Sequence, residues 1–184
     1  MKRKLFLQQS LLAVPAILFN NKSQCQQAIL GKEPFVVGAG KSRFGNSSKF
    51  MGLHPNDLKI SAKDTAGALS VFEYTGLAKI GPALHVHFEQ DEIFMVTEGS
   101  YRFVVGEQTL QLNAGETIFL PRTIPHTWIQ LTDKGKLIYF LQPAGKMEDF
   151  FACLDNLKEM PDAQAFDRIH AQHGMKVVGP PLTL

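Results

Sequence analysis

The chain has 184 residues, 45% of them hydrophobic and 20% charged, and is long enough to bury one core without staples such as disulfides. Its formal net charge is +2 and its basic residues form no long run, which excludes the charge pattern of a nucleic-acid-binding protein. Two cysteines far apart in the chain, Cys25 and Cys153, predict free thiols rather than a disulfide framework.

The N-terminal segment has the composition of an export signal. Basic residues at 2–4 precede a mostly apolar stretch at 5–19, and the small residues Ser23 and Cys25 precede a possible cleavage site. The apolar stretch is too short and too polar for a stable membrane span. We therefore expect residues 1–25 to be removed from a periplasmic or extracellular protein, with a frayed amphipathic helix as the alternative.

The centre of the chain has the pattern of an all-β domain. Residues 26–56 are rich in Gly, Ser, Lys and Asn and predict an irregular N-terminal arm that can lend one edge strand. From residue 57 to 144, short β-rich segments alternate with turn residues, which is typical of a sandwich or barrel. The predicted strands cover residues 58–62, 68–75, 83–88, 92–97, 101–105, 109–112, 116–120, 127–131 and 136–141.

The periodicity becomes helical in the last forty or so residues. Apolar side chains recur at spacings of 3 and 4 over residues 147–158, and a second helix is predicted over 162–173. Residues 145–184 are therefore expected to form a C-terminal helical extension. His170 and His173 in this extension, and His54 in the arm, have no matching carboxylate and are expected at the surface.

Four residues have the types and spacing of a metal site. In a strand, His85 and His87 project from one face, because side chains alternate with a period of 2. Glu92 begins the next strand, and His126 begins a later one after a proline-fixed loop. Three imidazoles and a carboxylate suit one divalent transition metal such as Fe, Mn, Ni, Cu or Zn, and leave a position open.

The same residues resemble the two motifs of the cupin family. The pattern G-x3-H-x-H-x4-E-x6-G from Gly81 to Gly99 resembles the first motif, and G-x5-P-x4-H from Gly115 to His126 resembles the second. Thr123 stands where a glycine is usual, and Gln130 where an asparagine is usual. The resemblance covers about residues 57–144 and extends to single-domain cupins related to quercetin dioxygenases. It implies a small jelly-roll β-barrel with the metal inside.

The resemblance also implies an activity. In the quercetinase-like branch, His85, His87 and His126 would be neutral ligands. Glu92 would be a ligand or the general base that takes a hydroxyl proton from a metal-bound substrate, which dioxygen then cleaves. This predicts a dioxygenase that cleaves a small aromatic or enolic molecule. A metal-dependent isomerase or lyase of a sugar or small acid, and a non-catalytic ligand-binding cupin, remain as alternatives.

Apolar residues around the motifs predict the character of the pocket. Phe94, Trp128 and Phe140, together with the polar Gln130, are expected to line it, which favours an aromatic substrate over a sugar.

The outward-facing residues of the same strands predict an interface. Ile93 and Met95 lie on the face opposite to Glu92, and on an isolated barrel they would be exposed. We expect them to face a partner subunit, giving a homodimer, or the N-terminal arm.

Overall fold

The computed structural model describes residues 33–159 and 161–184, and the fold given below is that of the compact unit Phe35–Leu184. The predicted export signal lies outside the described residues. Eleven strands and two helices occur in this order: β1 Ser48–Phe50, β2 His54–Ile60, β3 Ser70–Gly76, β4 Ala83–His87, β5 Asp91–Glu98, β6 Ser100–Val105, β7 Gln108–Asn113, β8 Thr117–Leu120, β9 His126–Gln130, β10 Gly135–Gln142, α1 Met147–Asp155, α2 Ala163–Gln172 and β11 Met175–Pro181. None of the described helices is long and apolar enough to cross a membrane.

The strands form two antiparallel sheets that pack face to face as a jelly roll. The six-stranded sheet has the order β1-β2-β3-β10-β5-β8, and the five-stranded sheet has the order β11-β4-β9-β6-β7. Consecutive strands β4 and β5 belong to different sheets, as do β7 and β8, and β9 and β10. The core lies between the sheets. The predicted metal motif includes β4 and β5, and it therefore contributes residues to both sheets. The predicted all-β jelly roll with few helices is confirmed.

Side-chain alternation places one face of each strand in the core. In β5, Glu92, Phe94 and Val96 are buried, whereas Met95 between them is 39% exposed. The same alternation in β10 buries Tyr139 and leaves Phe140 only half-buried on the opposite face. A two-sheet sandwich requires this pattern, because only one face of each sheet is shielded from water.

The two helices cover one end of the sandwich. Met147, Phe150 and Phe151 of α1 are buried, and the Phe151 ring packs edge-on against Phe72 of β3 at 5.2 Å. The α1 N-terminus is held by Glu148, whose carboxylate accepts hydrogen bonds from the Ser61 hydroxyl at 2.8 Å and from the Ala62 amide. An acidic side chain in the first helical turn is also favoured by the helix dipole.

The sheets include residues on both sides of the predicted barrel segment 57–144. At the N-terminal side, β1 and the first residues of β2 lie in the region expected to be an irregular arm. At the C-terminal side, β11 pairs with β4. The sequence does not predict this strand, because it contains Gly179, Pro180 and Pro181, which are rare inside strands. They are tolerated here because β11 is an edge strand with one neighbour.

Two histidines expected at the surface are buried. His54 begins β2 and is 0% exposed, with its ring tilted against Tyr74 at 5.6 Å. His170 lies on the inner face of α2, packed against Phe166 at 4.3 Å and Phe150 at 5.0 Å. Both predictions were wrong. They rested on the lack of a matching carboxylate, and that criterion does not identify a histidine that is buried because its ring packs against other aromatic rings.

Candidate metal centre and its cavity

The four predicted ligand residues converge between the two sheets. His85 and His87 lie on β4 and His126 begins β9, all in the five-stranded sheet, while Glu92 lies on β5 in the six-stranded sheet. His85 and His126 are register partners. One ligand atom from each of the four residues lies within 4.8 Å of the others. This distance is short enough for one ion to contact all four side chains.

Backbone carbonyls orient two of the imidazoles. Nδ1 of His85 lies 2.8 Å from the Ala83 carbonyl oxygen, and Nδ1 of His126 lies 3.0 Å from that of Ile124. A carbonyl only accepts, so each Nδ1 carries the proton and donates it. With the proton on Nδ1, a neutral ring keeps a free lone pair on Nε2, as a metal ligand requires.

A glutamine orients the third imidazole. Gln90 donates from its amide nitrogen to the Ala144 carbonyl at 2.6 Å, which turns its Oε1 towards Nδ1 of His87 at 3.4 Å. Nε2 of His87 is buried and has no hydrogen-bond partner among the described residues. The Gln90 side chain is itself buried in this supporting role.

The electrostatics of the cluster favour a bound cation. Burial raises the pKa of Glu92, but the neighbouring His87 and His126 outweigh it and lower that pKa to about 2. Burial, followed by repulsion from His126 and His87, lowers the pKa of His85 to about 3. The centre therefore combines a carboxylate with unprotonated imidazole. Oε2 of Glu92 lies 3.0 Å from Nε2 of His126, close enough for a hydrogen bond when that nitrogen carries a proton and for a shared cation when it does not.

An ion pair joins the first residue of β5 to the loop before β9. The Asp91 carboxylate accepts two hydrogen bonds from the Arg122 guanidinium, at 3.1 and 2.7 Å, and one from the Arg122 amide at 2.8 Å. These hydrogen bonds lower the pKa of Asp91 to about 2. Gly81 is required for a different reason: a side chain there would collide with the Trp128 carbonyl. Both features fix the backbone that carries the ligands.

A cavity of about 800 Å³ opens onto the cluster. Phe94 and Trp128 line it, as predicted from the sequence, and His85, His87 and Glu92 contribute to the same wall. Its remaining walls are mainly aromatic and aliphatic and include Tyr74, Tyr139, Met147, Phe150, Phe166 and Met175. Charged side chains other than the cluster lie at exposed positions near the helices: Lys49, Asp155, Lys158 and Glu159. The volume is typical of a small-molecule site.

Two residues predicted to line the pocket do not reach the cavity. Phe140 points to the opposite face of β10, and Tyr139 takes its expected place. Gln130 is fully buried beside the cavity wall, where its Oε1 accepts from the Tyr101 hydroxyl at 3.2 Å and its amide nitrogen donates to the Thr132 carbonyl at 2.8 Å. Gln130 therefore closes the end of β9 rather than facing a ligand.

Part of the chain is similar in sequence or fold to known proteins. Residues 76–141 match the family model described as a cupin domain. An RmlC-like cupin from Shewanella frigidimarina NCIMB 400 is 19% identical, with a TM-score of 0.53 over 64% of this chain and 96% of that one. KdgF from a Halomonas species is 12% identical, with a TM-score of 0.49 over 60% and 94%. A predicted oxalate decarboxylase from Thermotoga maritima is 13% identical, with a TM-score of 0.47 over 49% and 80%. No curated protein matches the sequence.

The fold and the cluster together define a jelly-roll protein with a candidate metal centre inside its barrel. Residues 76–141 are similar in sequence to a cupin domain, and the fold of the described residues is similar to that of a solved cupin. Its four His and Glu side chains could hold a metal ion, and their donor set is one that Fe, Mn, Ni, Cu and Zn all accept.

Proposed function

We propose that this protein is a metal-dependent oxygenase of the quercetinase type, which cleaves an apolar aromatic or enolic substrate. The observation that carries the proposal is the aromatic cavity of about 800 Å³ that opens onto the cluster. A sugar or a small dicarboxylic acid needs several polar or cationic partners. The described cavity wall includes no arginine, and its lysines, Lys49 and Lys158, are at exposed positions.

The chain's own residues would bind and orient the substrate. Trp128 and Phe94 would contact the flat faces or edges of its rings, while His85, which is half-buried, borders the open side of the cluster. A divalent transition metal held by His85, His87, His126 and Glu92 would supply Lewis acidity and, if redox-active, electron transfer with dioxygen.

Glu92 would provide the acid–base chemistry. Its carboxylate is ionised at neutral pH and lies on the cavity wall, so that an Oε atom can accept the proton of an enol or phenol hydroxyl. The surrounding apolar walls exclude water and strengthen this interaction, because the local dielectric constant is low.

The test is oxygen consumption by metal-reconstituted protein with flavonols, β-diketones and catechols in an oxygen electrode. We expect uptake with at least one of these classes. No uptake across the panel would overturn the oxygenase proposal. Turnover of a sugar or small acid without oxygen uptake would then indicate an isomerase or lyase, and binding without turnover would indicate a ligand-binding cupin.

The variant Glu92→Gln tests the role of the carboxylate. The amide keeps the size of the side chain but cannot accept the substrate proton as a base. We expect at least a hundredfold loss of kcat, within the usual range for general acid–base catalysis, while the circular dichroism spectrum stays unchanged. Metal content is measured alongside, because a variant that loses both metal and turnover would identify Glu92 as a ligand rather than a base.

A further inference from the structure

Two polar side chains in the cavity wall have a buried atom without a partner. Asn56 of β2 and Tyr74 of β3 both line the cavity and are each 1% exposed. Nδ2 of Asn56 and the hydroxyl of Tyr74 make no hydrogen bond to any described residue. Buried polar atoms are nearly always bonded to protein or ordered water, and unpaired ones in a cavity are candidates for contact with a ligand.

These two side chains are neighbours. Asn56 and Tyr74 are register partners in the antiparallel pair β2–β3, where directly opposed side chains lie roughly 5 Å apart at Cβ. Oδ1 of Asn56 already accepts a hydrogen bond from the Tyr139 hydroxyl at 2.8 Å. The Asn56 amide is thereby oriented, and its NH₂ group remains available as a donor. The Tyr74 hydroxyl is a second buried donor without a partner in the same cavity wall.

The pair lies away from the metal cluster along the same sheet. Strand β10 pairs with both β5 and β3 and measures the separation. Glu92 of β5 is the register partner of Leu141, whereas Tyr74 of β3 is the register partner of Leu137, and each such set of partners forms a row across the sheet. Four residues separate the two rows, which is on the order of 13 Å along a strand. The row between them contains Tyr139, whose ring stacks on Phe94 at 5.1 Å and on Phe72 at 5.2 Å. The wall thus has polar groups at two places and aromatic rings between them.

We propose that Asn56 and Tyr74 form a second binding subsite, which holds a hydroxyl or carbonyl oxygen at the end of an aromatic ligand remote from the metal cluster. The ligand class that fits is elongated and multi-ring, with an oxygen at each end and an apolar middle. This inference rests on the proposed function, because it takes the other end of the ligand to lie at the cluster. Single-ring catechols are too short to contact both places.

Ligand affinity tests the subsite without any turnover. Trp128 is the only tryptophan of the chain and lines the cavity, so quenching of its fluorescence reports binding. The zinc-loaded protein is titrated with 3-hydroxyflavone and with 3,4′-dihydroxyflavone, which carries an additional hydroxyl on its far ring. We expect the second probe to bind roughly three- to tenfold more tightly, the usual effect of one neutral hydrogen bond.

Tyr74→Phe should abolish this preference, because it removes only the unpaired hydroxyl. The fold should tolerate the change for the same reason, as a thermal unfolding curve will show. Asn56→Leu, which removes the amide donor at similar volume and adds no charge, is a second variant and should also lose the preference; its unfolding curve shows whether the fold tolerates the lost acceptor for Tyr139. Tyr101→Phe is the matched control: its hydroxyl is buried but bonded to Gln130, so the preference should remain.

The outcomes separate this inference from the oxygenase proposal. Equal affinity of the two probes for the wild-type protein, a preference that survives both Tyr74→Phe and Asn56→Leu, or no binding of either probe would overturn the subsite. A preference that Tyr74→Phe removes, without oxygen uptake by the metal-reconstituted protein, would support the subsite and overturn the oxygenase.

Discussion

Each histidine of the cluster is oriented by an acceptor at Nδ1, so its Nε2 lone pair is directed to the ligands' common centre. We expect His87→Ala and His126→Ala to lose most of the bound metal in elemental analysis of the purified proteins, because each removes one donor from a set of four. His173→Ala makes the same substitution outside the cluster and should keep wild-type occupancy. Full occupancy in both cluster variants would contradict the metal centre.

A buried histidine outside the cluster predicts a pH dependence of stability. Burial lowers the pKa of His54 from its ordinary value of 6.5, and its Nδ1 accepts a hydrogen bond from the Leu77 amide at 2.9 Å. The unfolded chain therefore takes up a proton below about pH 6.5 that the folded protein does not. The contribution of neutral His54 to stability is complete above pH 6.5 and is lost as the pH falls through the acidic range.

The variant His54→Asn isolates this effect, because an amide oxygen can replace Nδ1 as acceptor and does not titrate. Between pH 7 and pH 5 we expect the free energy of unfolding in urea to decrease more steeply for the wild-type protein. The difference in slope can reach about 1.4 kcal/mol per pH unit. Parallel pH profiles of the two proteins would show that His54 titrates normally in the fold.

At the scale of elements, the loop before β9 contains a strained position. Thr123 has a φ angle of 67°, in the left-handed region that β-branched residues rarely adopt, and its amide donates to the His87 carbonyl at 2.7 Å. This is the position where the cupin motif usually has glycine, which adopts such angles without strain.

We expect Thr123→Gly to raise the free energy of unfolding by about 0.5–1 kcal/mol. The relief of strain, about 1–2 kcal/mol, exceeds the extra backbone entropy that glycine loses on folding. Thr117→Gly, at an exposed position of β8, is the matched control and should lower stability instead. Urea denaturation measures both. A destabilised Thr123→Gly protein would indicate that the threonine side chain has a favourable interaction that outweighs its backbone strain.

The cavity wall shows where sequence patterns stop being informative. The positions of β4, β5 and β9 follow from alternation and from the histidine spacing, so Phe94 and Trp128 could be assigned to the wall in advance. In β10 the run from Leu137 to Leu141 is apolar throughout, and no alternation indicates which face is inside. Phe140 was therefore expected in the pocket where Tyr139 lies, because the register that decides between them depends on the neighbouring strands.

Polar support of the site was harder to predict than the ligands. Gln90 looks like an ordinary turn residue, and Asn56 lies in a segment whose composition predicts an irregular arm. Both acquire their environment only when distant strands pack together: Gln90 contacts Ala144, and Asn56 contacts Tyr139. Local sequence specifies periodicity and turns, whereas contacts between residues far apart in the chain are set by the tertiary fold.

At the scale of the whole molecule, the outer face of the six-stranded sheet carries an apolar row across β10, β5 and β8. Phe140 is the register partner of Ile93, and Ile93 is the register partner of Phe119. Met95 lies beside this row and is 39% exposed, and Phe119 is 57% exposed. A patch of this kind on consecutive strands is typical of an interaction surface. The homodimer inferred from Ile93 and Met95 stays a prediction. We expect its interface to lie on this face of the sheet.

A second copy of the chain can cover the patch by a two-fold axis, since a symmetric dimer brings the same face of both subunits together. We expect light scattering after gel filtration to give twice the subunit mass, and the double variant Met95→Glu/Phe119→Glu to give a monomer, because a buried unpaired carboxylate costs more than the lost apolar contact. Leu110→Glu introduces one carboxylate at an exposed apolar position of the other sheet and should leave the dimer intact. A wild-type monomer at tens of micromolar would favour the N-terminal arm as the cover of this face, since the patch would then be shielded within one chain.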